Sequence, residues 1–115
     1  MKTIERGDLN EQAACKYLQR RGLKLICANY FSRFGEIDLI MRDNNTLVFV
    51  EVRYRRNQSF GGAVMSITPG KQRKISLTAL DFLQKNKKTN ALCRFDVVAI
   101  SENNTEWIKS AFDQA

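Results

Sequence analysis

The chain has 115 residues, which is enough for one domain with a hydrophobic core and too few for two domains of ordinary size. Its 43% hydrophobic content excludes a disordered chain, and the lack of histidine excludes Ser-His-Asp triads, Cys-His pairs and histidine-ligated metals. Nineteen Lys and Arg against twelve Asp and Glu give a net charge of +7, so a polyanion is the first partner to consider.

The first half of the chain predicts one helix and three strands. The helix begins near Asp8, because Glu11 follows at the spacing of a capping box, and Gly22 is expected to end it. The strands are predicted over residues 23–31, 35–42 and 46–55. The sequence Asp43-Asn44-Asn45 is typical of a turn, which joins the last two strands into a hairpin.

The second half predicts a loop, a helix and one or two strands. Residues 57–66 contain Gly61-Gly62 and follow no regular period, which indicates a loop. Thr68 and Pro69 have the form of a helix cap and first helical residue, so a helix should run from there to near Asn86. A strand is predicted over 94–100 and a short last strand over 105–109. The order is αβββαβ with one further strand, taken as a single domain over residues 1–115.

Side-chain alternation along the hairpin sorts its residues into two faces, since successive residues of a strand point to opposite sides. On the first strand the predicted faces are Glu36, Asp38 and Ile40 on one side, and Ile37, Leu39 and Met41 on the other. A two-residue turn at Asn44-Asn45 pairs Asp43 with Thr46. The same register sets Asp38 opposite Glu51 and Glu36 opposite Arg53.

Two carboxylates facing each other on an apolar hairpin should repel and should lose favourable hydration. A hard divalent cation would compensate, because Mg²⁺ takes oxygen ligands from one or two carboxylates, waters and substrate phosphates. A turn of another length, which would change the pairing of Asp38 with Glu51, or a raised pKa on one carboxyl are the alternatives. The predicted acidic pair is therefore a candidate metal site.

Basic residues are concentrated just after the hairpin. Between Val52 and Leu80 the chain has no acidic residue and six basic ones, which are Arg53, Arg55, Arg56, Lys71, Arg73 and Lys74. The last five are candidates for phosphate contacts, which are salt-dependent and largely independent of base sequence. Tyr54 and Phe60 could stack on unpaired bases. The alternative is a solvated basic surface that keeps a small protein soluble.

The remaining compositional signals concern compartment and redox state. No apolar run approaches the roughly 18–20 residues of a membrane span, and residues 1–8 lack the hydrophobic stretch of a signal peptide. These features predict a soluble, cytoplasmic protein. Cys15, Cys27 and Cys93 are widely spaced and form no Cys-x-x-Cys pair, which favours reduced thiols in the core.

Three segments resemble a known family: GEIDLI at 35–40, VFVEVRYR at 48–55 and RFDVV at 94–98. On these segments the chain is identified as a member of the YraN-like family, which is similar to Holliday-junction resolvases and to the PD-(D/E)xK nuclease superfamily. The resemblance covers about residues 7–112. It implies a three-layer α/β, restriction-endonuclease-like fold with an αβββαβ core and a mixed sheet.

The resemblance also implies roles for individual residues. Asp38 and Glu51 would hold Mg²⁺ or Mn²⁺ with help from the carbonyl of Val52, and Glu11 of the first helix would add a further carboxylate. Glu11 has a second reading, as the residue that completes the helix cap with Asp8. The implied substrate is nucleic acid, DNA rather than RNA and branched DNA in particular, and a symmetric homodimer is the implied assembly.

Arg53 departs from the family pattern, because it stands where the motif has lysine. Arginine can stabilise negative charge but stays protonated, so it cannot act as a base. Three outcomes follow: Arg53 suffices as the catalytic cation, a lysine such as Lys71 or Lys74 reaches the site from the second helix, or the domain binds nucleic acid without cutting it. Arg53 as an ion-pair partner of Glu36 is a structural alternative.

Two classes of function are therefore expected from the sequence. The first is a nucleic-acid-binding, metal-dependent endodeoxyribonuclease. The second is a non-catalytic module, which binds either nucleic acid or another protein. Asp96 is expected to form a structural ion pair with Arg94 or a lysine of the second helix, and Trp107 and Phe112 are assigned to packing.

Overall fold

A computed structural model describes residues 6–55 and 66–114, with side chains described from Leu9 onward. Within these ranges the helices and strands follow the predicted order, and a fifth strand is present. Their bounds are α1 (Arg6–Gln19), β1 (Lys24–Ser32), β2 (Gly35–Asp43), β3 (Thr46–Tyr54), α2 (Pro69–Lys85), β4 (Leu92–Ile100) and β5 (Thr105–Phe112). The last strand is longer than predicted, since it continues three residues beyond Lys109.

The five strands form one mixed sheet in the order β1-β2-β3-β4-β5. Neighbouring strands are antiparallel except β3 and β4, which run parallel and are connected through α2. A parallel pair needs such a crossover, because both strands must start at the same edge of the sheet. The predicted α/β class and mixed sheet are therefore confirmed.

Each helix covers its own face of the sheet through a separate apolar cluster. Alternate residues of β3 belong to different clusters: Phe49 packs with α2, whereas Val48 and Val50 pack with α1. The α1-side cluster contains Ala14, Cys15, Leu18, Leu23, Leu39, Met41, Val48, Val50 and Val98. The α2-side cluster contains Ile37, Ile40, Leu47, Phe49, Ile67, Ile75, Ala79, Phe82, Phe95, Val97 and Ala99. The helices thus lie on opposite faces.

The predicted signals are confirmed at both ends of α2 and after α1, but the predicted start of the first helix is wrong, because α1 is already helical at Arg6 and Asp8 lies inside it, where it cannot form a cap with Glu11. The Thr68 hydroxyl accepts a hydrogen bond from the Lys71 backbone N–H at 3.2 Å, and Pro69 stands in the first turn, where it forfeits no helical hydrogen bond. Gly22 follows α1 with a φ of 97°, a left-handed conformation that glycine adopts without a Cβ clash. The cap matters for function because it fixes where Lys71 lies.

The hairpin confirms the predicted register next to its turn, from Asp43–Thr46 to Leu39–Val50. Beyond that point the regular alternation is wrong: Ile37 lies in the α2-side cluster together with Ile40, whereas Leu39 lies in the α1-side cluster. The cause is local, because the Asp38 carboxylate accepts the Val52 N–H at 2.8 Å. This side-chain hydrogen bond lies directly beyond the last paired residues, Leu39 and Val50, and irregularities of this kind are common in strands near functional sites.

Asp96 of β4 is fully buried and confirms the expected structural ion pair with Arg94. Its carboxylate accepts from Arg94 Nε at 3.1 Å, from the indole N–H of Trp107 at 2.9 Å and from the Ser110 N–H at 2.9 Å. Arg94 also contacts Asp43 at 2.9 Å. Trp107 therefore supplies a hydrogen bond as well as the packing predicted for it.

Phe112 confirms its predicted packing role, because its ring stacks on Phe95 of β4 with centroids 5.1 Å apart. Phe95 in turn lies 5.6 Å from Phe49 of β3. These aromatic contacts tie the longer-than-predicted end of β5 to the α2-side cluster.

The three cysteines are free, as predicted, but only Cys15 is in the core. Cys27 is half-buried on β1, and Cys93 is exposed. The core prediction for Cys93 is wrong because it lies at the start of β4, before the strand enters the core at Phe95. Neither described helix is long and apolar enough to cross a bilayer.

Candidate functional site

A cleft of about 440 Å³ lies between the hairpin and the first turns of α2, and we refer to it as the carboxylate cleft. Residues far apart in the sequence meet there, because the connection from β3 to β4 brings the start of α2 next to the end of the β2–β3 hairpin that lies away from its turn. The lining residues are Gly35, Glu36, Asp38, Glu51, Thr68, Gly70, Lys71, Lys74 and Ile75. The cleft therefore contains both predicted carboxylates and two of the predicted basic residues.

Asp38 and Glu51 both line this cleft, close enough for the charge of Glu51 to act on the Asp38 carboxyl. Glu51 is only 5% exposed, and the Val52 N–H holds one oxygen of Asp38. Burial, followed by the charge of Glu51, raises the pKa of Asp38 to about 9, against the smaller opposing effect of the Val52 N–H. Without a cation, the Asp38 carboxyl therefore keeps its proton at neutral pH.

Two cations contact the same oxygen of Glu51. Lys71 Nζ lies 2.9 Å from Glu51 Oε2, and Arg53 Nη2 lies 3.2 Å from it. The alternative pairing of Arg53 with Glu36 is wrong, because the β2–β3 pairing ends at Leu39–Val50 and does not bring Glu36 across from Arg53. One option left open by the sequence was that Lys71 or Lys74 of the second helix reaches the site, and Lys71 does so.

The first turns of α2 hold an unusual concentration of positive charge. Lys71, Arg73 and Lys74 follow the cap within two turns, and the first turn has no acidic residue. Cations at a helix N-terminus oppose the macrodipole, whose positive end lies there, so this arrangement costs free energy in the isolated protein. An anion bound in the carboxylate cleft would offset that cost.

Asn29 of β1 is a site residue that the sequence analysis missed. Its side-chain amide donates to Glu11 Oε1 at 2.7 Å and to Glu36 Oε2 at 3.0 Å. Asn29 adopts a left-handed φ of 54° in the middle of a strand. An asparagine inside a strand pattern was the available signal, since asparagine is depleted in strands and tolerates this conformation.

Glu11 lies on the α1 side of the carboxyl pair, and its charge contributes to the raised pKa of Asp38. Among the described residues, no group of three or more acidic or thiol side chains could hold a metal ion. The donor set that fits a cation is thus the pair Asp38 and Glu51. Two carboxylates match Mg²⁺, which completes its octahedron with waters and phosphate oxygens.

Two further predicted nucleic-acid contacts, Arg55 and Arg73, do not line the cleft. Arg73 and Arg55 are exposed, and the Arg55 backbone N–H is held by the Ile100 carbonyl at 2.8 Å. Tyr54 at the end of β3 is 48% exposed. Arg56, Phe60 and nearly all of the predicted loop 57–66 lie outside the described residues.

The raised pKa of Asp38 predicts a pH-dependent stability in the absence of divalent cations. A folded pKa of about 9 against 3.8 means that the folded state holds a proton that the unfolded state has released. The stability that this bound proton contributes is complete below pH 3.8 and is lost as the pH rises through 9. We expect Asp38→Asn to stabilise the protein by about 2 kcal/mol at pH 8 in EDTA.

Urea denaturation of the wild type and of Asp38→Asn from pH 4 to 9 measures this difference in the free energy of unfolding. The asparagine amide can still accept from Val52 and donate to Glu51, so the change removes the titration and keeps the contacts. The stability difference should grow with pH. Equal pH profiles for the two proteins would contradict the assignment.

Comparisons with known proteins come from both sequence models and individual relatives. The family described as "Uncharacterised protein family UPF0102" matches residues 10–100. A UPF0102 protein of Psychromonas ingrahamii is 52% identical over 111 residues, which cover 95% of this chain and 90% of the relative. A UPF0102 protein of Nitrosococcus oceani is 50% identical over 113 residues, covering 94% and 91%. The UPF0102 protein YraN of Escherichia coli is 49% identical over 113 residues, covering 96% and 86%.

Proposed function

This chain belongs to the UPF0102 family, as its YraN-like segments predicted, and we propose that it binds nucleic acid in the carboxylate cleft and hydrolyses the phosphodiester backbone with a divalent cation. One observation supports this most directly. Lys71 Nζ lies 2.9 Å from Glu51, beside Asp38, so two carboxylates and a lysine meet in one open cleft. That combination serves phosphoryl chemistry, which needs charge stabilisation and positioning.

We further propose that the fold is resolvase-like and restriction-endonuclease-like. The supporting features are the order of elements, the five-stranded mixed sheet with a helix on each face, and the position of the acidic pair on the β2–β3 hairpin. By the same resemblance the substrate is DNA, branched DNA in particular. The cation is Mg²⁺ or Mn²⁺.

Each residue of the cleft has a distinct role in this proposal. Asp38 and Glu51 hold the cation, which when bound lowers the pKa of a water and offsets charge on the scissile phosphate. Lys71 directs an ammonium group with three donors into the cleft, where it can hold a phosphate oxygen. The motif's lysine function is thereby supplied from α2 instead of β3.

Arg53 provides a further contact for an anion. Its Nε is buried and has no hydrogen-bond partner in the part of the chain that the structure describes. A buried donor without a partner costs about 1–3 kcal/mol, which a phosphate oxygen or a water could recover. Arg53 thus acts in charge stabilisation, consistent with a side chain that cannot serve as a base.

A second candidate function is a nucleic-acid-binding module without turnover. The observation in its favour is that Lys71 and Arg53 both contact Glu51, so two side chains of the protein balance the charge of this carboxylate. In such a module the two cations replace the divalent ion, and the cleft keeps a basic surface for phosphates. The two candidates differ in what a divalent cation does to the bound nucleic acid.

One experiment separates them. Labelled single-stranded, duplex, flapped and four-way DNA are incubated with the protein in Mg²⁺, Mn²⁺ or EDTA, and both binding and cleavage are followed. We expect salt-sensitive binding in all three conditions and cleavage only with a divalent cation. Binding without cleavage would support the non-catalytic module, and loss of both would overturn the proposal.

The two cations on Glu51 are predicted to contribute unequally to cleavage. Lys71→Ala should lower the cleavage rate by about 100-fold, because it removes the ammonium group of the cleft. Arg53→Ala should lower it less, by about tenfold, since its side chain is only 25% exposed and is less accessible to a phosphate. Single-turnover rates with saturating protein measure the effect separately from binding. Equal losses would contradict the assignment of the lysine role to Lys71.

A further inference from the structure

A second cleft, of about 430 Å³, lies at the opposite end of α2, where the helix ends beside the hairpin turn. We refer to it as the turn-end cleft. Its lining residues are Arg42, Asn44, Asn45, Leu47, Lys87, Lys88, Thr89, Asn90 and Ala91. Three cations, three amides and a hydroxyl thus surround a cavity whose lining contains no carboxylate.

The cations of the turn-end cleft are available to an anion. Within the described residues, Arg42, Lys87 and Lys88 form none of the ion pairs of the protein. The neighbouring carboxylate of Asp43 is held by Arg94 at 2.9 Å. Like charges gathered without a counter-ion repel, so an anion is the ligand that this arrangement favours.

The backbone also shapes this cleft. Asn44 and Lys87 both adopt left-handed φ values, of 53° and 56°. The backbone therefore turns sharply at both of these positions in the cavity wall. Lysines beyond a helix C-terminus commonly complement the macrodipole, which accounts for Lys87 and Lys88. It does not account for Arg42, which comes from β2 and faces the same cavity. Convergence of cations from two elements indicates a phosphate-sized anion.

The positions of the two clefts relative to each other follow from the elements that line them. Both clefts open on the sheet face that α2 covers, one at each end of that helix. Ile75 lines the carboxylate cleft and Leu47 lines the turn-end cleft, and both residues belong to the α2-side cluster. Asn44 is six positions along the chain from Asp38, which corresponds to about 20 Å in an extended strand. Along a duplex that distance is about six base pairs.

We propose that the turn-end cleft binds backbone phosphates of the same nucleic acid that occupies the carboxylate cleft, about six base pairs away. The inference rests on the proposed function, which it extends by giving the path of the strand along α2. A free phosphate has the same chemistry as a backbone phosphate. The test below therefore distinguishes the two sources.

The test compares duplex stems, closed by hairpin loops, of about four and about sixteen base pairs, because a stem of about four base pairs is about 14 Å long and cannot reach both clefts. The variant is R42A/K87A/K88A, and the control is K16A/R20A/K24A, which removes three exposed cations from α1, the turn after it and β1. Affinities are measured from 50 to 200 mM salt in EDTA. Amide chemical shifts of Asn44 and Asn45 are followed with inorganic phosphate alone.

We expect the wild type to bind the longer duplex at least about tenfold more tightly than the short one, and the variant to lose this gain. The slope of log affinity against log salt should fall by about 2 to 3 in the variant, one unit for each lost phosphate contact. The control should keep the gain with length.

Four outcomes would overturn the inference, and they separate it from the proposed function. Equal losses in variant and control would show a general charge effect. If the variant still binds the longer duplex more tightly than the short one, the turn-end cleft is excluded as a phosphate site, and the role proposed for the carboxylate cleft is unaffected. Phosphate-induced shifts with unchanged DNA affinity would assign the cleft to a small phosphorylated molecule. Failure of the wild type to bind either duplex would overturn the proposed function as well.

Discussion

Replacing Glu51 by glutamine is expected to reduce metal-dependent cleavage by at least about 1,000-fold. Glu51 is one of the two carboxylates that fit the cation, and Lys71 and Arg53 are both anchored to the same oxygen of Glu51. The substitution therefore removes a ligand and releases both cations from their positions. Mn²⁺ titration of the variant should show weakened binding in parallel with the loss of cleavage.

The matched control for this prediction is Asp43→Asn. Asp43 lies on the same hairpin, carries the same charge and contacts Arg94 outside the carboxylate cleft. Its substitution should leave the cleavage rate unchanged when the protein is assayed well below its unfolding temperature. A Glu51→Gln protein that cleaves within tenfold of wild type would contradict the proposed mechanism.

The largest expected effect on stability comes from Asp96. Changing Asp96 to asparagine should reduce the free energy of unfolding by about 3–5 kcal/mol, because it breaks a buried ion pair and leaves Arg94 with its contact to the more exposed Asp43 alone. Both carboxylate oxygens accept hydrogen bonds, from Trp107 and from Ser110. An amide offers only one acceptor, so its NH₂ group would face a donor.

Urea denaturation monitored by Trp107 fluorescence measures this loss, and a second probe such as circular dichroism checks that unfolding is two-state. Glu102→Gln is the control, because Glu102 is exposed in the turn before β5 and the change in charge is the same. Its denaturation midpoint should not move. Equal midpoints for the two variants would show that the buried network is dispensable.

The acidic pair and the lysine have different origins in the sequence. Asp38 and Glu51 lie on adjacent strands joined by a two-residue turn and come directly after the last paired residues, Leu39 and Val50, so the hairpin brings them close together. Lys71 is twenty positions beyond Glu51, on an element that returns across the sheet, and its contact follows from the crossover. The role proposed for Lys71 depends on this second, long-range step.

The sequence by itself determined the order of helices and strands, the cap at Thr68 and the hairpin register beside Asn44-Asn45. These features depend on turn chemistry, capping and periodicity, which act over a few residues. The tertiary structure decided which cation reaches Glu51, the bridge from Asn29 to Glu11 and Glu36, and the turn-end cleft. Those contacts join residues from different elements, and their geometry depends on how the two helices pack on opposite faces of the sheet.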